Sequence, residues 1–442
     1  MTPTPQGRES ERESQRGVNG RLAGEWRQKR AGDEYSLRLT LQGEDQKKRL
    51  TRREAGIGLP GNQHSREEER RQEQEAALSF KARTLAGEAH LLGFGAEWRY
   101  KNAKERKEAW ENGIASPRDS ASTANLSDRR LALWLMDEWQ ISDTHLLTPG
   151  LRYQRQYNWS RDGLGTEQER RYASFSPSLH YLWQASSNWN LRASLGENEK
   201  PPGLREMSHM VRESNGNNSP GNPDKGGNPN LKAERTRALE VGVEHFLPQR
   251  QGNLGLNLFR RWVSNHVEKI TALENGRWVE RPWNVGDAVL TGALLDWKMR
   301  LTALGLPNLN LRGNYSHAKI RIAQESPHPQ KEGPRRAWNL GFDYDLPAHR
   351  LTLGGNLSGR GNLVKAQKGR LYQEYKGSQQ LDLYLLKRIN RQLAVRLSAS
   401  NVTHADRDNE VHSHAPDGSL TSRERSHETH PPVYKVSLEA RW

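Results

Sequence analysis

Three features of this 442-residue chain predict an all-β, antiparallel transmembrane β-barrel. Apolar and polar residues alternate with a period of two in segment after segment, as a strand with one greasy and one wet face requires. The connections are alternately short and long, as in a barrel with tight turns on one side of a membrane and long loops on the other. The chain is also polar, with 33% hydrophobic residues, 27% charged residues and a mean hydropathy of −0.99. A soluble core of this size calls for more apolar residues, whereas a barrel hides no large apolar interior.

The stripes can be followed along the chain. Tyr35, Leu37, Leu39 and Leu41 share a face, with Ser36, Arg38, Thr40 and Gln42 opposite. Further stripes lie near 89–100, 173–183, 189–195, 254–258 and 393–399. Leu295, Trp297, Met299 and Leu301 form one more, and Trp338, Leu340, Phe342, Tyr344 and Leu346 another. The end alternates Tyr434, Val436, Leu438, Ala440 and Trp442 with Lys435, Ser437, Glu439 and Arg441, so an aromatic ring sits where an interface would be. Trp26, Trp98, Trp139, Trp183, Trp189, Trp297 and Trp338 read as girdle anchors.

Short turns fall at 141–144, 184–188, 346–349 and 389–392, and long polar connections at 44–74, 101–128, 198–235, 321–335, 361–378 and 403–432. The count is about seventeen strands, with 252–272 and 277–301 as one hairpin reaching beyond the bilayer. The first, about 17–30, and the last both run toward the short-turn side. A complete bacterial barrel has an even number, so N-terminal strands are expected to be missing. The start, MTPTPQGRESERES, has no basic and then apolar stretch, and no secretory signal is expected.

Composition excludes several classes. There is no cysteine, hence no disulfide or thiolate chemistry. No apolar run is long enough for a transmembrane helix. The 14 Trp and 12 Tyr, regularly placed, argue against disorder. The net charge of +15 is spread through strands and loops rather than gathered on a helix or arm, so nucleic acid is not an expected partner.

Several landmarks are similar to the C-terminal barrel of TonB-dependent outer-membrane receptors. The most specific is Asn228-Pro229-Asn230-Leu231-Lys232-Ala233-Glu234, which resembles that family's Asn-Pro-x-Leu-Lys-x-Glu box before a descending strand. Asp137-Glu138-Trp139 with Leu147-Thr148-Pro149-Gly150-Leu151-Arg152-Tyr153 resembles its "D-E-W … L-T-P-G-L-R-Y" hairpin. Ser176-Pro177-Ser178-Leu179, Asn284-Val285-Gly286-Asp287-Ala288 and Asn401-Val402-Thr403 follow in the family's order. The likeness in motifs covers about 130–442; residues 1–129 fit through their strand pattern alone. It implies that residues 1–442 form one receptor-like barrel domain, with strands six to last of a 22-stranded parent present; the TonB box, plug domain and signal peptide that the resemblance would place before the barrel are departures, expected to be missing here.

No nucleophile elbow, phosphate-cradling loop or HExxH motif occurs, so no enzyme is expected. His412, His414, His427 and His430 gather in the last long connection; imidazoles at such spacings can share a metal, or simply be a solvated polar loop. His209 between Met207 and Met210 is a second candidate, for a soft metal. Arg205, Arg212, Lys225, Arg335 and Arg336, with His209, lie in outer connections where they could hold an anionic ligand, lipopolysaccharide phosphate, or only water.

The resemblance implies an integral, monomeric protein of a Gram-negative outer membrane. Such a receptor imports a scarce ligand, a ferric siderophore or related metal complex, by energy delivered from the TonB complex to a plug absent here. No cofactor is expected, and lipopolysaccharide and membrane lipid are expected neighbours. The alternatives are a passive diffusion channel or a non-transporting receptor fragment; a basic soluble β protein is a third.

Overall fold

The computed structural model describes residues 8–30, 32–55, 63–117, 122–208, 210–214, 218–323, 330–332, 335–367, 371–414 and 419–440. Among the described residues, twenty strands form one sheet. Three are brief additions, Ile114–Ala115, Val211–Arg212 and Asp224–Gly226. The other seventeen make an antiparallel meander in chain order, matching the expected number. They are Arg8–Arg30, Asp33–Ala55, Gln63–Ala86, His90–Glu111, Thr123–Ser142, His145–Asp162, Glu167–Ser186 and Trp189–Lys200, followed by Glu234–Phe246, Gly252–Glu274, Arg277–Leu301, Leu306–Ile322, Arg335–Leu346, Leu351–Arg360, Ser378–Arg388, Leu393–Ser400 and Val433–Ala440. Among the described residues the first strand pairs only with the second, and the last only with the one before it.

Exposure sorts the two faces as a bilayer would. Leu131, Leu133 and Leu135 are 42%, 47% and 55% exposed, while Ala132 between them is fully buried. Phe94 and Trp98 point outward from the neighbouring strand, and Glu97 and Arg99 on the other face bond to Arg152 and Asp128 across the lumen wall. The outward face is apolar and the inward face is ionic. Trp26, Trp98, Trp139, Trp183 and Trp189 are exposed. Trp297 and Trp338 are half-buried because each lies flat over its cross-strand glycine, Gly313 and Gly359, where any Cβ would collide with the indole. Trp442 lies outside the described residues.

Several expected loops are strand instead. The connections placed at 44–74 and 101–128 continue as paired strands to Ala55 and from Gln63, and to Glu111 and from Thr123. Apolar alternation stops there because both faces have left the lipid. Cross-strand ion pairs take over, Lys48 with Glu13 at 3.2 Å, Arg52 with Glu11 at 3.1 Å and Arg49 with Glu68 at 2.8 Å. The last three long connections build a separate five-stranded sheet from Gln330–Glu332, Leu363–Gln367, Leu371–Tyr375, Arg407–His414 and Leu420–Glu428.

The face assignment sets an expected result. Leu135→Arg puts a charge near the middle of the apolar band and lowers stability in lipid vesicles by about 2–4 kcal/mol. Gln154→Arg, on the wet face, costs far less. Urea-unfolding midpoints of the refolded proteins measure the difference.

Candidate functional site

The connection between Trp189–Lys200 and Glu234–Phe246 turns back against the lumen wall. Its foot is apolar, with Leu204 and Met210 packed on Ala103, Ala124 and Leu126. Around this foot the attachment is ionic. Glu105, only 2% exposed, lies 3.0 Å from Arg205 and 3.2 Å from Arg212, and Arg212 also reaches Glu69 at 3.2 Å. Buried carboxylates need such partners, because an unpaired charge away from water is costly.

Further along, Asp224 is buried and accepts bonds from the Ser214 N–H at 2.9 Å, the Asn218 amide at 3.1 Å and Arg277 Nε at 2.7 Å. Burial works against its charge, but the Arg277 and Ser214 bonds hold its carboxyl below the usual range. The Asn218 amide in turn accepts from the Trp278 N–H at 2.6 Å and donates to the Trp278 carbonyl at 2.9 Å. Ser219 Oγ donates to Glu424 at 3.1 Å, tying this segment to the five-stranded sheet.

The Asn-Pro box and the Asn-Val-Gly segment, far apart in sequence, turn out to be two sides of one joint. Asn228 donates to the Pro282 carbonyl at 3.1 Å, and the Lys232 N–H donates to Asn284 Oδ1 at 2.8 Å. Asn284 returns bonds to the carbonyls of Lys232 at 3.1 Å and Asn265 at 2.8 Å. Glu234, which closes the box, accepts from the Val267 N–H at 2.8 Å and from His266 Nδ1 at 2.9 Å. His266 sits where the hairpin pairing slips between Val263 and Val267, four residues beyond outward-facing Trp262 and so above the lipid. Asn265 takes a positive φ of 55° in that bulge.

Three of the expected ligand-binding residues, Arg205, Arg212 and Lys225, line a single cavity of about 220 Å³ with Lys269, Glu105 and Glu280. Each is paired at rest, and Lys225 lies 2.9 Å from Glu280. Arg205 is pushed down by burial, although Glu105 opposes this. The chemistry is that of four cations held in near-balance by carboxylates, which an incoming polyanion would have to displace. Arg335 and Arg336 stand at the start of another strand, apart from this cavity. His209 lies outside the described residues. Its neighbours have other partners: Met207 Sδ accepts from the Tyr172 hydroxyl at 3.7 Å, and Met210 is in the apolar foot.

The four histidines of the last connection are drawn apart by strand pairing. Asp408 faces His427 and Arg423 faces His412, a separation of four residues along the strand, or about 13 Å. His412 Nε2 donates to Glu410 at 2.8 Å. That bond and one from Arg423 hold Glu410 down to about 2. His427 Nδ1 lies 2.8 Å from Asp408, and His430 Nε2 lies 3.3 Å from Glu428. His414 lies at a slip in the pairing next to Ser413. Among the described residues no group of three or more His, Asp or Glu converges as a metal site would require.

Sequence reasoning missed Glu105, Asp224, Arg277 and His266. The first three are ordinary charges until the fold pairs them. His266 had a signal, since Ser264-Asn265-His266 interrupts an otherwise regular stripe.

Comparison with known proteins agrees with the barrel fold. The family model described as TonB dependent receptor-like, beta-barrel matches residues 2–402. Iron-regulated outer membrane virulence proteins of two Vibrio cholerae O1 strains are 21% identical over 290 and 329 residues, covering 63% and 71% of this chain. The chain spans 40% and 46% of their length. A variant of the ferric enterobactin receptor of Pseudomonas aeruginosa superposes with a TM-score of 0.57 at 16% identity, covering 99% of this chain and 72% of that one. For the ferric-catecholate import receptor of E. coli K12 the values are 0.57 and 14%, covering 92% and 64%. The FrpB iron transporter of Neisseria meningitidis gives 0.58 and 14%, covering 97% and 72%. At these identities the likeness shows the fold.

His266 makes the joint sensitive to pH. Burial works against its charge, but the bonds to Glu234 and Glu268 outweigh burial and raise it from 6.5 to about 9. A folded-state value above the unfolded one contributes stability that is complete below about pH 6.5 and lost as pH rises through about 9. The melting temperature is therefore expected to fall across that window. His266→Gln is expected to melt lower than the parent at pH 6, with the gap closed by pH 10.

Proposed function

This chain belongs to the TonB-dependent receptor β-barrel family, a family of outer-membrane transport receptors rather than enzymes, and from that premise we propose that it serves uptake of an anionic iron complex of the ferric-siderophore class. The observation that carries the reading is the cavity where Arg205, Arg212 and Lys225 meet beneath an inward-folded connection. Catecholate, citrate and hydroxamate chelates of iron present clustered oxygen anions, and forked guanidinium donors suit them. The names of the relatives, iron-regulated proteins and iron-chelate receptors, point the same way.

In this reading the ligand enters from the long-connection side and exchanges its oxygens for Glu105 and Glu280 at the cations. That exchange loosens the ionic foot of the 201–233 connection, so ligand capture and loop release are one event. Energy for passage comes from the TonB complex through the plug that such receptors carry. The lumen face contributes the polar path, and the outer face fixes the protein in the bilayer as a monomer.

Ligand binding to the folded barrel tests this. Ferric enterobactin and ferric citrate, each carrying radioactive iron, are titrated against the parent and an R205A/R212A/K225A variant. The variant is expected to bind one of the two about tenfold or more weakly. Equal binding of both by parent and variant sinks the assignment of this cavity. A steady ion conductance of the parent in planar bilayers, unaffected by either chelate, favours the passive channel instead.

A further inference from the structure

Four neighbouring strands, His90–Glu111, Thr123–Ser142, His145–Asp162 and Glu167–Ser186, arrange their outward side chains in level rows. Deep in the apolar band lie Phe94, Leu135, Leu151 and Pro177, and above them Ala96, Leu133, Tyr153 and Phe175. The next row holds Trp98, Leu131, Arg155 and Ala173, so a guanidinium stands level with a girdle tryptophan. Over it run Tyr100, Arg129, Tyr157 and Arg171, aromatic and cationic in turn. Arg129 lies 5.7 Å over the Tyr100 ring, and Arg171 lies 5.7 Å over the Tyr157 ring.

These rows frame a groove of about 770 Å³ on the outer wall, bounded above by Asn102, Trp159 and Glu169. Its aromatic and arginine side chains face away from the vestibule, since Asp128 and Asn158 point to the buried side of the same strands, as does Gln156, which borders the groove. Its charge is lopsided. Arg171 has Glu169 at 3.6 Å; among the described residues no carboxylate lies in ion-pair range of Arg129 or Arg155. A cation at the edge of hydrocarbon is costly without an anion beside it.

We propose that this groove holds the phosphorylated glucosamine headgroup of lipopolysaccharide, the glycolipid of the outer leaflet. The long-connection side of the barrel is the outer side, so the groove opens at the height of that leaflet's headgroups. Phosphate oxygens take forked bonds from Arg129, Arg155 and Arg171. The Tyr157 and Trp159 faces offer apolar surface to a sugar ring, with polar edges left for hydroxyls. Acyl chains then descend over Tyr153, Phe175 and Leu133. A single-phosphate phospholipid headgroup would leave most of the groove unfilled and at least one arginine unpaired.

The test uses the folded chain in detergent, checked by heat-modifiable migration, and native mass spectrometry with purified lipid A. The parent is expected to bind lipid A at least about tenfold more tightly than phosphatase-treated lipid A or phosphatidylglycerol. R129Q/R155Q/R171Q is expected to lose about tenfold or more of that affinity. R49Q/R70Q, higher on the same wall where both arginines already pair with Glu68 and Asp45, should bind as the parent does. Should the triple variant not fold, R155Q alone is read against the parent, since Arg155 is exposed and touches no core. Unchanged binding by the arginine variants overturns the proposal. Phosphatidylglycerol binding as tightly as lipid A overturns it too, in favour of a general anionic lipid surface.

Discussion

Oil offers no hydrogen bonds, and that single fact governs the architecture. Each backbone amide and carbonyl crossing the bilayer must be satisfied by a neighbouring strand, which leaves a meander with period-two side chains as the available solution for so polar a sequence. The wide outward Leu and Trp rows, the ionic inner wall and the tight turns at one end all follow. Aromatic side chains laid over glycines, Trp297 on Gly313 and Trp338 on Gly359, let large rings thicken the wall without jutting into lipid.

Above the membrane a different economy holds. The strands run on past the lipid, and cross-strand ion pairs replace leucines as the pairing code. Water is present there, so each pair alone is worth little. Their number, and the continuous backbone ladder beneath them, keep the outer wall in register. The inward connection from 201 to 233 depends more heavily on buried charges, with Glu105 and Asp224 each anchoring two or more partners.

The strand number and the alternation of short and long connections were legible because lipid imposes a strict periodicity on Leu131, Leu133 and Leu135 and their counterparts. Strand ends were not. Residues such as Arg49 and Glu68 carry no apolar stripe, and only the fold shows them facing each other. The Asn228 and Asn284 motifs were recognisable as landmarks, yet their mutual bonds are long-range and leave no local trace. The same holds for the vestibule: Arg205 and Arg212 were legible as candidates by charge and position, whereas the carboxylate they share, Glu105, lies 107 residues before Arg212 in the sequence. The histidines of the last connection illustrate the converse. Their nearness in sequence is undone once strand pairing stretches them out.

The small outer sheet draws its strands from three separate connections, and through Ser219 and Glu424 it also grips the vestibule segment. Three loops that a chain diagram shows as independent flaps are thus stitched into a single plate. A load on the 201–233 connection is therefore shared with the far rim through ordinary hydrogen bonds, with no part inside the membrane needed to pass it on.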